Sequence, residues 1–341
     1  MQYPFGYVDD ANKEAINEWN LIHDEMLPIM DLYKSSDVTD IFVDRYDNIN
    51  VMRRGVLEKT TNSFSSEKAL FSLLRQFCVT LNQDLIGLSS PILDARLPDG
   101  SRINATHDST TPSGSTLSLR KVSVEPLTKK DFLDSGMMTP EMLDYLIDVI
   151  KRKDTFLISG NMGSGKTSIM RFLAEFIDPR ERVITAEDTQ ELHIHRLFPF
   201  GLAMEAPNRL ESPVDLPALI HATLRQQPDR VLVGELRKAP AVDAFMQIIY
   251  TGVRGCGSTI HGKSCKHALS RIQYLLASAG NVSFELTGVL LRDAIDVIIQ
   301  THRDPKWGRR ITEIGRIVDG EIQMIFQFNT ENGEHVRVGD W

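Results

Sequence analysis

Apolar and polar positions follow two rhythms along the chain, and the change of rhythm divides it. Near the start, Ile16, Trp19, Ile22, His23, Met26, Leu27 and Met30 recur at helical spacing, which predicts an amphipathic helix with one buried stripe. Residues 39–44 and 49–53 predict short strands, with turn chemistry at Asp47-Asn48 between them. Residues 64–81 predict a helix capped by Ser65 or Ser66, with Glu67 in its first turn. Two alternating runs in 92–104, joined by Pro98-Asp99-Gly100, predict a hairpin, and 116–122 predict a further strand. The polar stretch 125–130, with Pro126 favouring extended backbone before it, predicts a linker. The expected organisation is an α+β domain over 1–124, whose first 36 residues are a helical extension, and a second domain over 131–341.

From about residue 131 the rhythm becomes an alternation of helix and strand. Thr139-Pro140-Glu141 carries a cap and a proline at the first helical position. Residues 155–159, 182–186 and 230–233 are short apolar strands of the kind a sheet buries on both faces, and 168–177 predict a helix ended by Asp178-Pro179. This alternation predicts an α/β domain with a doubly wound, mostly parallel sheet.

Charge changes the picture at one end. The 341 residues carry a formal net charge of −8, and −7 of it falls in the first forty, which hold nine acidic residues against Lys13 and Lys34. The overall balance argues against a protein that coats nucleic acid through a basic face. No apolar run approaches the roughly 18 residues of a spanning helix, and the start lacks the pattern of a cleaved signal. The three cysteines, Cys78, Cys256 and Cys265, are too few for a disulfide framework, so a reducing, cytoplasmic location is expected.

The candidate chemistry begins at Gly160-Asn161-Met162-Gly163-Ser164-Gly165-Lys166-Thr167, which matches G-x-x-x-x-G-K-[ST] between a predicted strand and a predicted helix. Such a loop turns successive backbone N–H groups towards phosphate oxygens, and the helix N-terminus, with Ser168 in its first turn, adds a favourable dipole. Lys166 is expected to reach the β- and γ-phosphates of ATP, and Thr167 to place its hydroxyl on Mg²⁺. Three further boxes follow. Glu187-Asp188-Thr189-Gln190-Glu191-Leu192 comes just after an apolar strand, at the ligand edge of a parallel sheet. Val233-Gly234-Glu235-Leu236-Arg237 ends another such strand, with glycine where an Mg²⁺-binding aspartate is usual and Glu235 suited to polarise water. Ser258-Thr259-Ile260-His261 places a histidine after a run of small residues.

Together the four boxes, in this order, resemble the secretion ATPase superfamily: hexameric P-loop motors of type II and type IV secretion, conjugation and type IV pili. The resemblance runs from about residue 37 to 330, and the segments 93–104 and 117–121 are similar to the branch serving type IV secretion and tight-adherence pili. It implies a RecA-like second domain. Lys166 and Thr167 would hold phosphate and Mg²⁺, and Glu187 would organise Mg²⁺ or water. Glu235 would be the catalytic carboxylate, also near Mg²⁺ through water, and His261 would sense the γ-phosphate. Arg102 and Arg120 would neutralise nucleotide charge. It further implies a hexameric ring, partners embedded in the inner membrane, and peripheral association there through those partners.

Other readings stand beside these, including a DNA translocase or helicase-like P-loop ATPase and a nucleotide-gated assembly protein with little turnover. Glu187 and Asp188 are open to a capping role, Glu191 to a structural one, and His261 to being a satisfied buried histidine. Cys256, His261, Cys265 and His267 lie close in sequence, but their spacing fits no common zinc pattern. The basic runs 151–153 and 302–310 lack an aromatic platform for bases, so solvated loops or subunit contacts are expected rather than nucleic acid. Thr251-Gly252-Val253 lacks the histidine usual at its third position in such motors, which leaves the subfamily open. Trp341 is either a hook for a partner or a docked tail.

Overall fold

The computed structural model describes residues 2–3, 6–7, 13–53, 55–121, 127–206, 214–278 and 283–341. The chain forms two compact units, Met1–Val124 and Glu125–Trp341.

The first unit begins with a two-residue ladder, β1 (Gln2–Tyr3) with β2 (Gly6–Tyr7), followed by α1 (Lys13–Glu25) and α2 (Met30–Lys34). Then come β3 (Val38–Arg45), β4 (Asn48–Arg53), β5 (Val56–Lys59), α3 (Glu67–Thr80), β6 (Ile92–Arg96), β7 (Arg102–Thr106) and β8 (Thr116–Arg120). Six strands form one antiparallel sheet in the order β5-β4-β3-β8-β7-β6. Trp19, Ile22, Met26 and Met30 of the predicted stripe are buried, whereas Leu27 is 58% exposed. The cause is local: α1 stops at Glu25 and residues 27–29 form a 3₁₀ turn, whose tighter winding shifts the phase of the pattern. The acidic residues Asp9 and Asp10 lie outside the described residues. The helix α3 starts where expected, with the Ser66 hydroxyl accepting from the Ala69 N–H at 3.2 Å.

The second unit comprises α4 (Lys129–Asp134), α5 (Pro140–Lys151), β9 (Phe156–Gly160), α6 (Lys166–Ala174), β10 (Val183–Glu187) and β11 (Leu202–Glu205). These lead into α7 (Leu216–Thr223), β12 (Arg230–Val233), α8 (Ala239–Tyr250), β13 (Gly257–Ile260), α9 (Cys265–Ser278) and α10 (Phe284–Ala294). The chain closes with β14 (Val297–Asp304), β15 (Gly308–Val318), β16 (Glu321–Asn329) and β17 (Glu334–Arg337). Its nine strands run β11-β10-β12-β13-β9-β14-β15-β16-β17. Pairing is parallel from β11 to β14 and antiparallel from β14 to β17. Of the predicted linker, residues 125–126 lie outside the described residues, and Lys129 and Lys130 open α4. Thr128 and Asp131 form a capping box there, which makes helix start rather than spacer of that end.

Both faces of this sheet are covered, as its apolar strands require. Along β9, Phe156 and Ile158 pack into a core with α5 and α6, while Leu157 packs into a second core with α7, α8 and α9. Val297 and Ile299 of β14 divide from Ile298 in the same way. The C-terminal Trp341 is docked, with its ring 5.4 Å from Tyr145 and the Arg337 guanidinium 4.6 Å from its centroid. No helix among the described residues is long and apolar enough to cross a membrane.

Candidate active site

The candidate phosphate loop leaves the end of β9, the strand between β13 and β14 in the parallel run, and enters α6. Its shape depends on two glycines. Gly165 caps α6 at φ 98°, in the left-handed region that an L side chain resists. Gly160 has no room for a Cβ, which would collide with the Thr301 and Ser164 hydroxyls. Thr301, on the neighbouring β14, underpins the loop: its Oγ1 lies 2.7 Å from Ser164 Oγ and 3.0 Å from the Ser159 carbonyl oxygen. Asn161, Met162 and Gly163 form the exposed rim, Ser164 and Lys166 are buried, and Thr167 and Ser168 are partly buried.

The Lys166 ammonium turns back on its own loop. It donates to the Gly160 and Asn161 carbonyl oxygens, each at 3.2 Å, and lies 3.5 Å from His261 Nδ1. Burial pushes its pKa down, with Glu235 opposing that shift. His261, just past β13, lies with Nε2 2.9 Å from Glu235 Oε1. The other oxygen of Glu235 accepts from Arg237 Nη2 at 2.9 Å, and this bond raises the Arg237 pKa. Lys166, His261 and Glu235, separated by up to 95 residues in sequence, therefore form one line of polar contacts.

The two glutamates of the acidic box have different partners. Glu187 is buried at the end of β10, and its Oε1 accepts from the backbone N–H groups of Glu191 at 2.9 Å and Leu192 at 3.1 Å. It closes the loop after β10 by accepting from two N–H groups of that loop. Glu191 is the glutamate at the phosphate loop: Thr167 Oγ1 donates to its Oε2 at 3.3 Å. The same arrangement explains the glycine after β12. A Cβ on Gly234 would stand 3.1 Å from Glu187 Cγ, so the small residue gives the Glu187 side chain its path.

Arg102 and Arg120 belong to the first unit, directly opposite each other across β7 and β8. Arg120 Nε donates to Asp40 Oδ1 at 2.8 Å. The four residues weighed for zinc go to different partners: Cys256 and Cys265 are buried against backbone carbonyls, His261 turns to Glu235, and His267 Nδ1 accepts from the Lys263 N–H. Among the described residues, no group of three or more His, Cys, Asp or Glu is positioned to hold a metal ion. In the basic run 151–153, Arg152 pairs with Asp154 and Lys153 with Glu181, which compensates their charge. Sequence reasoning missed Thr301 and Arg237. A hydroxyl on a strand 137 residues away from Ser164 leaves no local signal.

This fold and these boxes define a class. The chain belongs to the type II/IV secretion ATPase superfamily, since the family model described as type II/IV secretion system protein matches residues 21–322. It is similar to the type IV secretion system protein VirB11 of Brucella suis, 25% identical over 338 residues that cover 89% of this chain and 92% of that one. An uncharacterized protein of Methanocaldococcus jannaschii is 39% identical over 154 residues. That match covers 43% of this chain and only 21% of the longer relative. The fold is shared with the crystal structure of the pilus retraction motor PilT with bound ADP, at a TM-score of 0.61 and 18% identity. That likeness covers 88% of this chain and 82% of PilT.

Proposed function

We propose that the chain is an ATP-hydrolysing ring motor that powers a secretion, conjugation or pilus apparatus, working at the cytoplasmic side of the inner membrane through membrane-embedded partners. The observation that carries the proposal is the convergence of Lys166, His261 and Glu235 from three sequence boxes onto the phosphate loop. ATP entering the loop gives Lys166 the phosphate oxygens in place of its own carbonyls. His261 is thereby coupled to the γ-phosphate on one side and Glu235 on the other. Glu235 orients or deprotonates the attacking water. The family resemblance alone supports a role for Arg102 and Arg120 in neutralising charge on the transferred group.

The donor set fits Mg²⁺: a threonine hydroxyl and a carboxylate lie together at the start of α6. Thr167, with Glu191 and Glu235 through water, would hold the ion. Bound there, it would neutralise charge on the β- and γ-phosphates. Glu191→Gln is then expected to raise the Mg²⁺ concentration for half-maximal turnover about tenfold without altering the melting temperature. Glu187→Ala, which strips two backbone N–H groups of their acceptor, is expected instead to cost ~2 kcal/mol of stability. The reverse pattern in Mg²⁺ titrations and thermal melts would return the metal role to Glu187.

The ring is tested by sedimentation of the full chain with and without a non-hydrolysable ATP analogue, alongside turnover. Turnover per chain rises with protein concentration as the fast-sedimenting species forms. Turnover per chain that is constant while only monomer sediments removes the ring. No turnover in any assembled form removes the motor.

A further inference from the structure

The β14–β15 hairpin turns one face towards the phosphate loop. Thr301 marks that face through its contact with Ser164. Residues two apart on a strand share a face, so Arg303 lies on the Thr301 side of β14. Arg309 is the direct partner of Arg303 across the hairpin, and opposite residues in an antiparallel pair also share a face. Arg309 bears this out: its Nε donates to the Gly163 carbonyl oxygen at 2.9 Å. Its Cδ also lies 3.6 Å from where a Cβ on Gly165 would stand. Both arginines are exposed.

Two guanidinium groups directly opposite each other repel. Several arginines of this unit are engaged with carboxylates, among them Arg230 with Glu181, Arg316 with Asp154 and Arg237 with Glu235. Among the described residues no carboxylate forms an ion pair with Arg309. Partial desolvation first, and Arg303 second, push its pKa below the usual arginine range. A cation held beside another cation, tied by one nitrogen to the rim of a phosphate loop, has its two Nη groups left for an anion. Guanidinium groups meet phosphate oxygens in strong, charge-assisted hydrogen bonds.

We infer that Arg309, with Arg303 opposite it, is a cationic contact for the nucleotide's polyphosphate chain, supplied by the same unit as the phosphate loop. This rests on the reading of that loop as an ATP site. The contact gives the phosphates a partner on the rim side, while Lys166 and the loop amides serve the interior.

The test uses the full chain, calorimetric binding of a non-hydrolysable ATP analogue and of AMP, a series of salt concentrations, and thermal melts. Arg309→Gln is expected to weaken the analogue about tenfold and AMP less than twofold. It should flatten the salt dependence of analogue binding, because one screened charge contact is gone, and leave the melting temperature unchanged. Arg309→Lys, which keeps the charge, should recover most of the slope. Unchanged analogue affinity in Arg309→Gln overturns the inference. So does an equal loss for both ligands with the slope intact, which makes Arg309 only a brace for Gly163. Should Arg309→Gln fail to fold, Arg303→Gln is read in the same way: a weaker analogue with a flatter slope supports the inference, and parent-like binding overturns it. Failure of the parent chain to bind the analogue sinks the ATP site itself rather than the arginine contact.

Discussion

Glu235→Gln is expected to lower ATP turnover by about 10²–10⁴-fold, the range for loss of a general base, while ATP affinity stays within about twofold of the parent chain. The substitution keeps the shape of the side chain. In the parent, both oxygens of the Glu235 carboxylate are in contact, one with His261 Nε2 and the other with Arg237 Nη2, each at 2.9 Å. An amide can keep one of those contacts as an acceptor, so the line from Lys166 to the end of β12 survives in part. What disappears is the negative charge proposed to polarise water. Single-turnover hydrolysis measured beside equilibrium binding separates the two effects, and hydrolysis at the parent rate would remove Glu235 from the chemistry.

Lys166→Met is expected to abolish ATP binding and, at the same time, to make the empty chain more stable. The ammonium is buried, its hydrogen bonds are to neutral carbonyls, and burial lowers its pKa. A cation whose folded pKa is lowered is better accommodated in the unfolded chain. The cost is full below the folded pKa and fades as pH rises towards the ordinary lysine value of about 10.4. Removing the amine does not strand its acceptors. Gly160 O retains His261 Nδ1 at 3.2 Å, and Asn161 O retains the Ser164 hydroxyl at 2.8 Å. A gain of ~1 kcal/mol corresponds to a melting temperature about 2–4 °C higher for a unit of this size. Thermal melts at pH 7 without nucleotide check this, and a lower melting temperature would show that Lys166 stabilises its own loop. The gain should shrink at pH 10.

Elements with a strong local pattern were legible before the fold was known. The strand at 155–159, the loop after it and the helix beyond agree with β9, the phosphate loop and α6 to within a few residues. The caps Ser66 and Thr139 were legible because a hydroxyl at a helix start satisfies N–H groups only three residues away. By contrast, β5 was missed because all four of its residues are exposed, so no alternation marks it. The antiparallel extension β15–β17 was missed because its strands carry mixed burial and follow no helix–strand rhythm.

What the sequence alone determined is therefore local: the two rhythms, the helix caps, and the residues of the phosphate loop, whose chemistry depends on neighbours along the chain. Only the tertiary structure decided how the charged residues divide their work. EDTQEL offers two glutamates four residues apart, and sequence cannot say which carboxylate turns into its own loop. The fold sends Glu187 to the N–H groups of Glu191 and Leu192, and Glu191 to Thr167. Likewise, Thr301 beneath the loop and Arg309 at its rim lie more than 130 residues beyond it in the chain. Strand order brings β14 beside β9, and the period-two alternation of the β14–β15 hairpin then sets which of its side chains face the loop. Contacts of that kind arise from the pairing of distant strands, and pairing is a property of the assembled sheet rather than of any one segment.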